Sequence, residues 1–374
     1  MQKRLNLAFL NPHKLMSSST PAPNLVSEQV THYKVTWMNL FIPILVSFAA
    51  FGIIGWLTYR PGVFSRMVEL INVWLVLASV VVVTIRVTLG GLRLRYVSHQ
   101  RLTLSEALRT QVIWDFYANV TPSVIGGAPF AALYMNKDAK VPIGEASSIM
   151  MFLMLLDQIW FALSIPVMLL ASLFVEVIPS SVGTLGEGLI TTYFVGIMIW
   201  VGIFAYATVI NPNVLIWLMG KLFSLPFLKR YKSRIELEMD SLRQRAAVIR
   251  AQPPRFFIWG VFLTFLIWVC RYVLLYVVVI SIQPNVPAVT VLFRAMAVLL
   301  SYIIMPTPGG AGGVEAAYAV FMTPLIGQDY VIPTLFLWRF IGFYIFIILG
   351  AFLTARSVGQ HVADKMPDAP ESPA

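Results

Sequence analysis

The chain has 374 residues, 58% of them hydrophobic and only 12% charged, whereas a soluble globular chain carries about a quarter charged residues. That balance excludes a soluble domain and marks an integral membrane protein, and a single cysteine excludes a disulfide-stapled secreted domain and a Cys-ligated structural zinc site. The formal net charge of +10 then reads as loop orientation and attraction to anionic lipid rather than as nucleic-acid binding.

In chain order, residues 1–35 hold Lys3, Arg4, Lys14 and Lys34 and the linker-like run SSSTPAPN at 17–24, without a continuous apolar core. They read as a cytoplasmic tail without an export signal. A spanning helix needs about 20 apolar residues, and six runs supply them, at roughly 36–59, 69–91, 146–175, 188–211, 255–281 and 331–354. Two more apolar stretches, about 104–136 and 290–326, are broken at their middles by Pro and Gly. Each half is too short to span, and its freed backbone groups must be buried in protein or line a wet cavity, which predicts two re-entrant helical hairpins. The expected fold class is an all-α polytopic membrane protein, with about six spanning helices plus the two hairpins.

Loop charge orients the chain. Arg93, Arg95, Arg101 and Arg109 follow the second run, and a basic loop over 212–254 contains Lys229, Arg230, Lys232 and Arg234 among others. The positive-inside rule places both segments, and with them both termini, in the cytoplasm. The predicted organisation is a tail over 1–35, a membrane half over 36–211 with the first hairpin, the 212–254 loop, a second half over 255–355 with the second hairpin, and a disordered cytoplasmic tail over 356–374.

The two hairpins match each other. A constant offset of 186 pairs Thr121 with Thr307, Pro122 with Pro308, Gly126 with Gly312, Gly127 with Gly313 and Ala131 with Ala317. The same offset lays 69–91 on 255–277 and 146–175 on 332–361, and it brings Arg86 within one residue of Arg271. An odd number of crossings separates the units, so they form an inverted repeat, the architecture of many secondary transporters whose substrate sits where broken helices meet. The turn residues Thr121, Pro122, Gly126, Gly127, Thr307, Pro308, Gly309, Gly310, Gly312 and Gly313 would then form the gate, with the helix N-terminus after each Gly pair suited to a phosphate or carboxylate. Close helix packing is the alternative use of the glycines.

Charges at membrane depth are costly and point to function. Seven qualify: Arg86, Asp115, Asp157, Arg271, Arg294, Glu315 and Arg339. Arg339 offers a two-pronged donor for phosphate or carboxylate and is the first choice for the substrate anion. Glu315 balances that arginine, meets a cationic headgroup or takes up a proton, and a structural Arg339–Glu315 ion pair is the plainer alternative. Asp157 has no cation in its own helix, so its partner comes from elsewhere, with Arg271 and Arg294 as the choices. Asp115 faces the cavity or satisfies the Gly-rich turn. Arg86 near its span end reads first as snorkelling to headgroups, and Arg294 near the external face meets lipid phosphate.

No enzyme constellation assembles. The four histidines are scattered, and neither GxxxxGK[ST] nor GxSxG occurs. No catalytic residue, cofactor or metal is expected.

The runs MPTPGGAGGVEAAYAVF at 305–321, WRFIGFY at 338–344 and NVTPSVIGGAPFAALYM at 119–135 resemble the lysylphosphatidylglycerol synthetase/flippase transmembrane region family, over about 40–355. The resemblance implies a flippase-like fold with two re-entrant regions and carries the family's motif onto Pro308, Gly309, Gly310, Gly312, Glu315 and Arg339. Ala128, Ala131 and Met154 stand where members often carry charge, and without an aminoacyltransferase domain lysyl transfer is not inherited. The expectation is a bacterial inner-membrane transporter of a phospholipid or polyprenyl-phosphate-type lipid, with Arg339, Glu315, Arg294, Arg271, Asp157 and Asp115 as its substrate contacts. Membrane lipids with an anionic or phosphate-bearing headgroup are the expected partners, and a homodimer or an envelope-biosynthesis partner is compatible. A small-anion secondary transporter and a non-catalytic subunit of a cell-envelope glycosylation system are the alternatives.

Overall fold

A computed structural model describes residues 69–121, 127–206, 251–303, 305 and 307–363, together with Leu45, Ala49, Gly52 and Trp56. Most of the first expected span, Pro122, Gly126, all but the end of the basic loop, the N-terminal tail and residues 364–374 lie outside these residues, while 356–363, expected as disordered tail, are helical. Among the described residues the chain is helical, without strands.

Helix α1 (Val73–Val97) begins at Asn72, whose side-chain oxygen accepts the N–H of Trp74 at 3.0 Å. Helix α2 (Leu104–Val120) begins at a capping box: the Thr103 hydroxyl accepts the Glu106 N–H, and the Glu106 carboxylate accepts the Thr103 N–H. Helices α3 (Gly127–Lys137) and α4 (Ile143–Ala171) follow, then a short 3-10 turn, Ser180–Val182, and α5 (Gly183–Ala205). Helix α6 (Pro254–Ile280) opens on proline, where the missing N–H has no intrahelical partner to lose. Then come α7 (Ala288–Leu300), a 3-10 turn (Ser301–Ile303), α8 (Gly313–Ile326), α9 (Gln328–Arg339), a π turn (Phe340–Tyr344) and α10 (Ile345–Ala363).

Among the described residues five helices are long and apolar enough to cross a membrane: α1, α4, α5 with its preceding turn, α6, and the continuous rod Gln328–Ala355. Helices α7 and α8, of 13 and 14 residues, reach only about 20 Å at 1.5 Å per residue, short of the roughly 30 Å hydrocarbon core. Both halves repeat one order of lengths. The first runs 25, 17, 11 and 29 residues, and the second 27, 13 and 14 residues followed by the 28-residue rod.

Helices α1 and α6 pack along each other in antiparallel fashion. At one end the Asn72 N–H donates to the Ser281 carbonyl at 2.7 Å, and nearer the other end Arg93 reaches Thr264. In lipid the apolar surface of a helix gains little by leaving hydrocarbon, so helices associate through close backbone approach and polar contacts. The α2–α10 contact shows this, because a Cβ on Gly350 would lie 2.1 Å from the Phe116 Cβ. The outward faces keep Trp74, Leu77, Val81, Leu170, Trp259 and Phe352 exposed, as a lipid-facing surface requires.

One expected boundary moves. The second run was expected to end at 91 with Arg93 in a loop, but α1 continues to Val97 and carries Arg93 inside the protein at 3% exposure. The Gly90–Gly91 pair does not stop the helix. It makes room for α2 instead, since a Cβ on Gly91 would lie 2.7 Å from Leu108 Cδ2.

Candidate functional site

Arg86 on α1 is 4% exposed and donates to both oxygens of Asp115 on α2, at 3.2 and 2.9 Å. Asp115 also accepts from Gln111, one turn earlier, at 3.2 Å. Arg86 therefore does not snorkel to headgroups as first expected; a carboxylate from the neighbouring helix holds both prongs of its fork, the strongest geometry available to a guanidinium. Arg271 on α6 approaches the same Asp115 at 3.6 Å and lies over the Trp268 ring, 5.0 Å from its centroid.

A second pair joins α8 and α9. Arg339, the last residue of α9, is 1% exposed and lies 2.8 Å from Glu315, which is 0% exposed. Arg339 Nη1 donates to the Tyr302 hydroxyl at 2.7 Å and to the Gly309 carbonyl at 3.2 Å. Glu315 reaches back to accept the Gly312 N–H at 2.8 Å. An internal carboxylate thus occupies the helix start that was expected to offer itself to a substrate anion. Gly309 and Gly310 have φ of +57° and +65°, a turn that side chains resist, and a Cβ on Gly309 would lie 2.1 Å from Phe343. At the start of α3, Gly127 serves packing, since a Cβ there would meet the Ala118 nitrogen at 2.7 Å.

Arg86, Arg271 and Arg339 line one cavity with Tyr302, Trp338 and Phe343. The space open to water centres is about 30 Å³, room for about two waters. Three guanidiniums line it, and among the described residues two carboxylates outside the lining, Asp115 and Glu315, pair with them.

Asp157 is partnered by neither of the expected arginines. Its partner is Arg93, at 2.8 Å, with the Trp268 N–H donating to the same oxygen at 3.1 Å and Thr264 accepting from Arg93 at 2.9 Å. Sequence reasoning passed over Arg93 because it counted as a loop charge, although it lies seven residues after Arg86, two turns along the same helix face. No sequence signal marked Trp268 or Tyr302 as partners of these charges. Arg294 does not line the cavity. It is 1% exposed, with Nε donating to the Glu176 carbonyl at 3.1 Å and Nη1 to the Phe321 carbonyl at 2.8 Å, and so ties α7 to α8 and to the loop after α4. In that loop the Ser180 N–H on the Glu176 carboxylate holds its pKa below the usual carboxylate value.

Fold and site together define a multi-pass helical membrane protein with ion pairs buried between its helices. The chain belongs to the family described as Lysylphosphatidylglycerol synthase TM region, which it matches over residues 41–350. It is also similar to a UPF0104 membrane protein of Archaeoglobus fulgidus, 23% identical over 267 residues that cover 70% of this chain and 80% of the relative. No solved structure matches it.

Proposed function

We propose that the chain moves a phosphate-bearing lipid between the leaflets of the membrane, by transport and not by bond chemistry. The observation that carries this reading is the cavity between α1, α6 and the α9–α10 rod, which three guanidiniums line while only two carboxylates among the described residues pair with them. Burying a charge without its counter-charge costs several kcal/mol, so the site gains most from a ligand that brings negative charge with it. Family membership supports the same direction.

The repeat supplies a means of movement. Helices α1 and α6, equivalent under the 186-residue offset, run antiparallel, and each opens a unit of the same long, short, short, long order. Two such units of opposite topology can rock about a shared site. A space for about two waters does not hold a headgroup, so this is a closed state from which the helices must part. Location in the bacterial inner membrane with both termini in the cytoplasm goes with this reading.

The test is lipid movement in liposomes containing the purified full chain and fluorescently tagged phosphatidylglycerol, with dithionite added outside. Tag that is protected in protein-free vesicles is expected to bleach in those that hold the protein. Protection equal to the protein-free control would overturn the reading. If labelled inorganic phosphate entered while lipid did not move, the chain would be a small-anion transporter.

A further inference from the structure

We propose that Arg271 is the residue that receives the headgroup, and that the site selects a phosphate group bearing one negative charge, as a phosphodiester does. This rests on the lipid-transport reading above. The three arginines of the cavity are unequal in what already occupies them. Arg86 spends its fork on Asp115, and Arg339 is held by Tyr302, Gly309 and Glu315. Among the described residues Arg271 has a single ion pair within 4 Å, at 3.6 Å, and its buried Nε, like that of Arg339, has no hydrogen-bond partner there. Its side chain keeps 34% of its surface accessible, against 5% for Arg86 and 1% for Arg339. It is the arginine a ligand can reach without displacing an internal partner.

The charge count sets the class. Three guanidiniums and two carboxylates leave a surplus of one positive charge among the described groups of the cavity, which one phosphodiester cancels. A diphosphate overfills the site with negative charge. A choline headgroup brings its own cation and cancels nothing, and a lysyl ester of phosphatidylglycerol, with two ammonium groups, adds to the surplus. The neighbouring Arg93–Asp157 pair is internally neutral. Trp268 joins it to the cavity by donating to Asp157 while its ring supports Arg271. That support orients the guanidinium, since the face of an aromatic ring attracts a cation.

The experiment measures binding apart from transport. Purified full chain in detergent is titrated with short-chain phosphatidylglycerol, the corresponding phosphatidylcholine, the lysyl ester, glycerophosphoglycerol without chains, and inorganic phosphate, with thermal stabilisation as readout. Short-chain phosphatidylglycerol is expected to bind at least ten-fold tighter than phosphatidylcholine or the lysyl ester. Arg271→Gln is expected to erase that preference, and Arg271→Lys to keep part of it. Equal affinity of the wild-type chain for all three lipids overturns the proposal without any variant, as does an Arg271→Gln protein that keeps the preference. Glycerophosphoglycerol or phosphate binding as tightly as the lipid would assign the site to a soluble anion. Loss of lipid movement in liposomes with the preference intact sinks the transport reading and leaves this one standing.

Discussion

Arg339 and Glu315 form the most deeply buried ion pair among the described residues, 1% and 0% exposed and 2.8 Å apart. Because each was desolvated to make the pair, its value to stability shows only when one partner is removed. Loss of one member of a buried pair typically costs about 3–5 kcal/mol, whereas an apolar replacement of both is often neutral. Glu315→Gln is therefore expected to lower the melting temperature of the purified protein sharply, and Glu315→Leu with Arg339→Met to recover most of that loss without restoring lipid movement. A double variant as unstable as the single one would show that packing, not charge, is at stake. The pairing was legible in the chain as one of several readings, since both residues fall in apolar runs. That Tyr302 and the Gly309 carbonyl also hold Arg339 was not, because a turn with positive φ at two glycines brings them there.

Among the elements, the loop between α4 and α5 carries an exposed charge, Glu176, outside the spanning helices. Arg294 clamps it to α7 and α8 through a backbone carbonyl, while the Glu176 carboxylate accepts the Ser180 N–H at 2.7 Å. That N–H lowers the folded-state pKa of Glu176 below its value in the unfolded chain. The stability linked to it is thus present above the ordinary carboxylate range, about pH 4.3, and is lost as pH falls through the folded value. Hydrogen exchange at the Ser180 amide is expected to speed up on that acid limb beyond its intrinsic pH dependence, and Glu176→Gln to abolish the step. An unchanged step in the variant would place its cause elsewhere. Helix positions at this scale follow closely from apolar run length, and α4, α6 and the rod after Gln328 begin within a few residues of expectation. The end of α1 does not, because what continues it past Gly90 and Gly91 is the approach of α2.

For the whole molecule the sharpest expectation is inverted topology. Lys140, between α3 and α4, and Gln328, which opens α9, are both exposed and follow equivalent short helices. In a Cys270→Ser background, Lys140→Cys is expected to react with an impermeant maleimide only from the cytoplasmic side and Gln328→Cys only from outside. Labelling of both from one side would overturn the inverted repeat while leaving the helix packing as described. The matching TP and GG runs are what predict such a repeat from the chain. The antiparallel lie of α1 and α6 is a property of the packing alone.

By itself the sequence determined the membrane character, the positions of the long helices, the two interrupted segments and all but Arg93 of the paired charges at depth. All of these are local, being written in run length, composition and the placement of Pro and Gly. Only the tertiary structure decided which charge meets which. Arg86 finds Asp115 across 29 positions and Arg93 finds Asp157 across 64, and no local pattern encodes a choice among several carboxylates at similar depth. The surplus guanidinium at Arg271 belongs to that second kind of knowledge. It exists because the other two arginines of the cavity were claimed first, by partners that helix packing brought within reach.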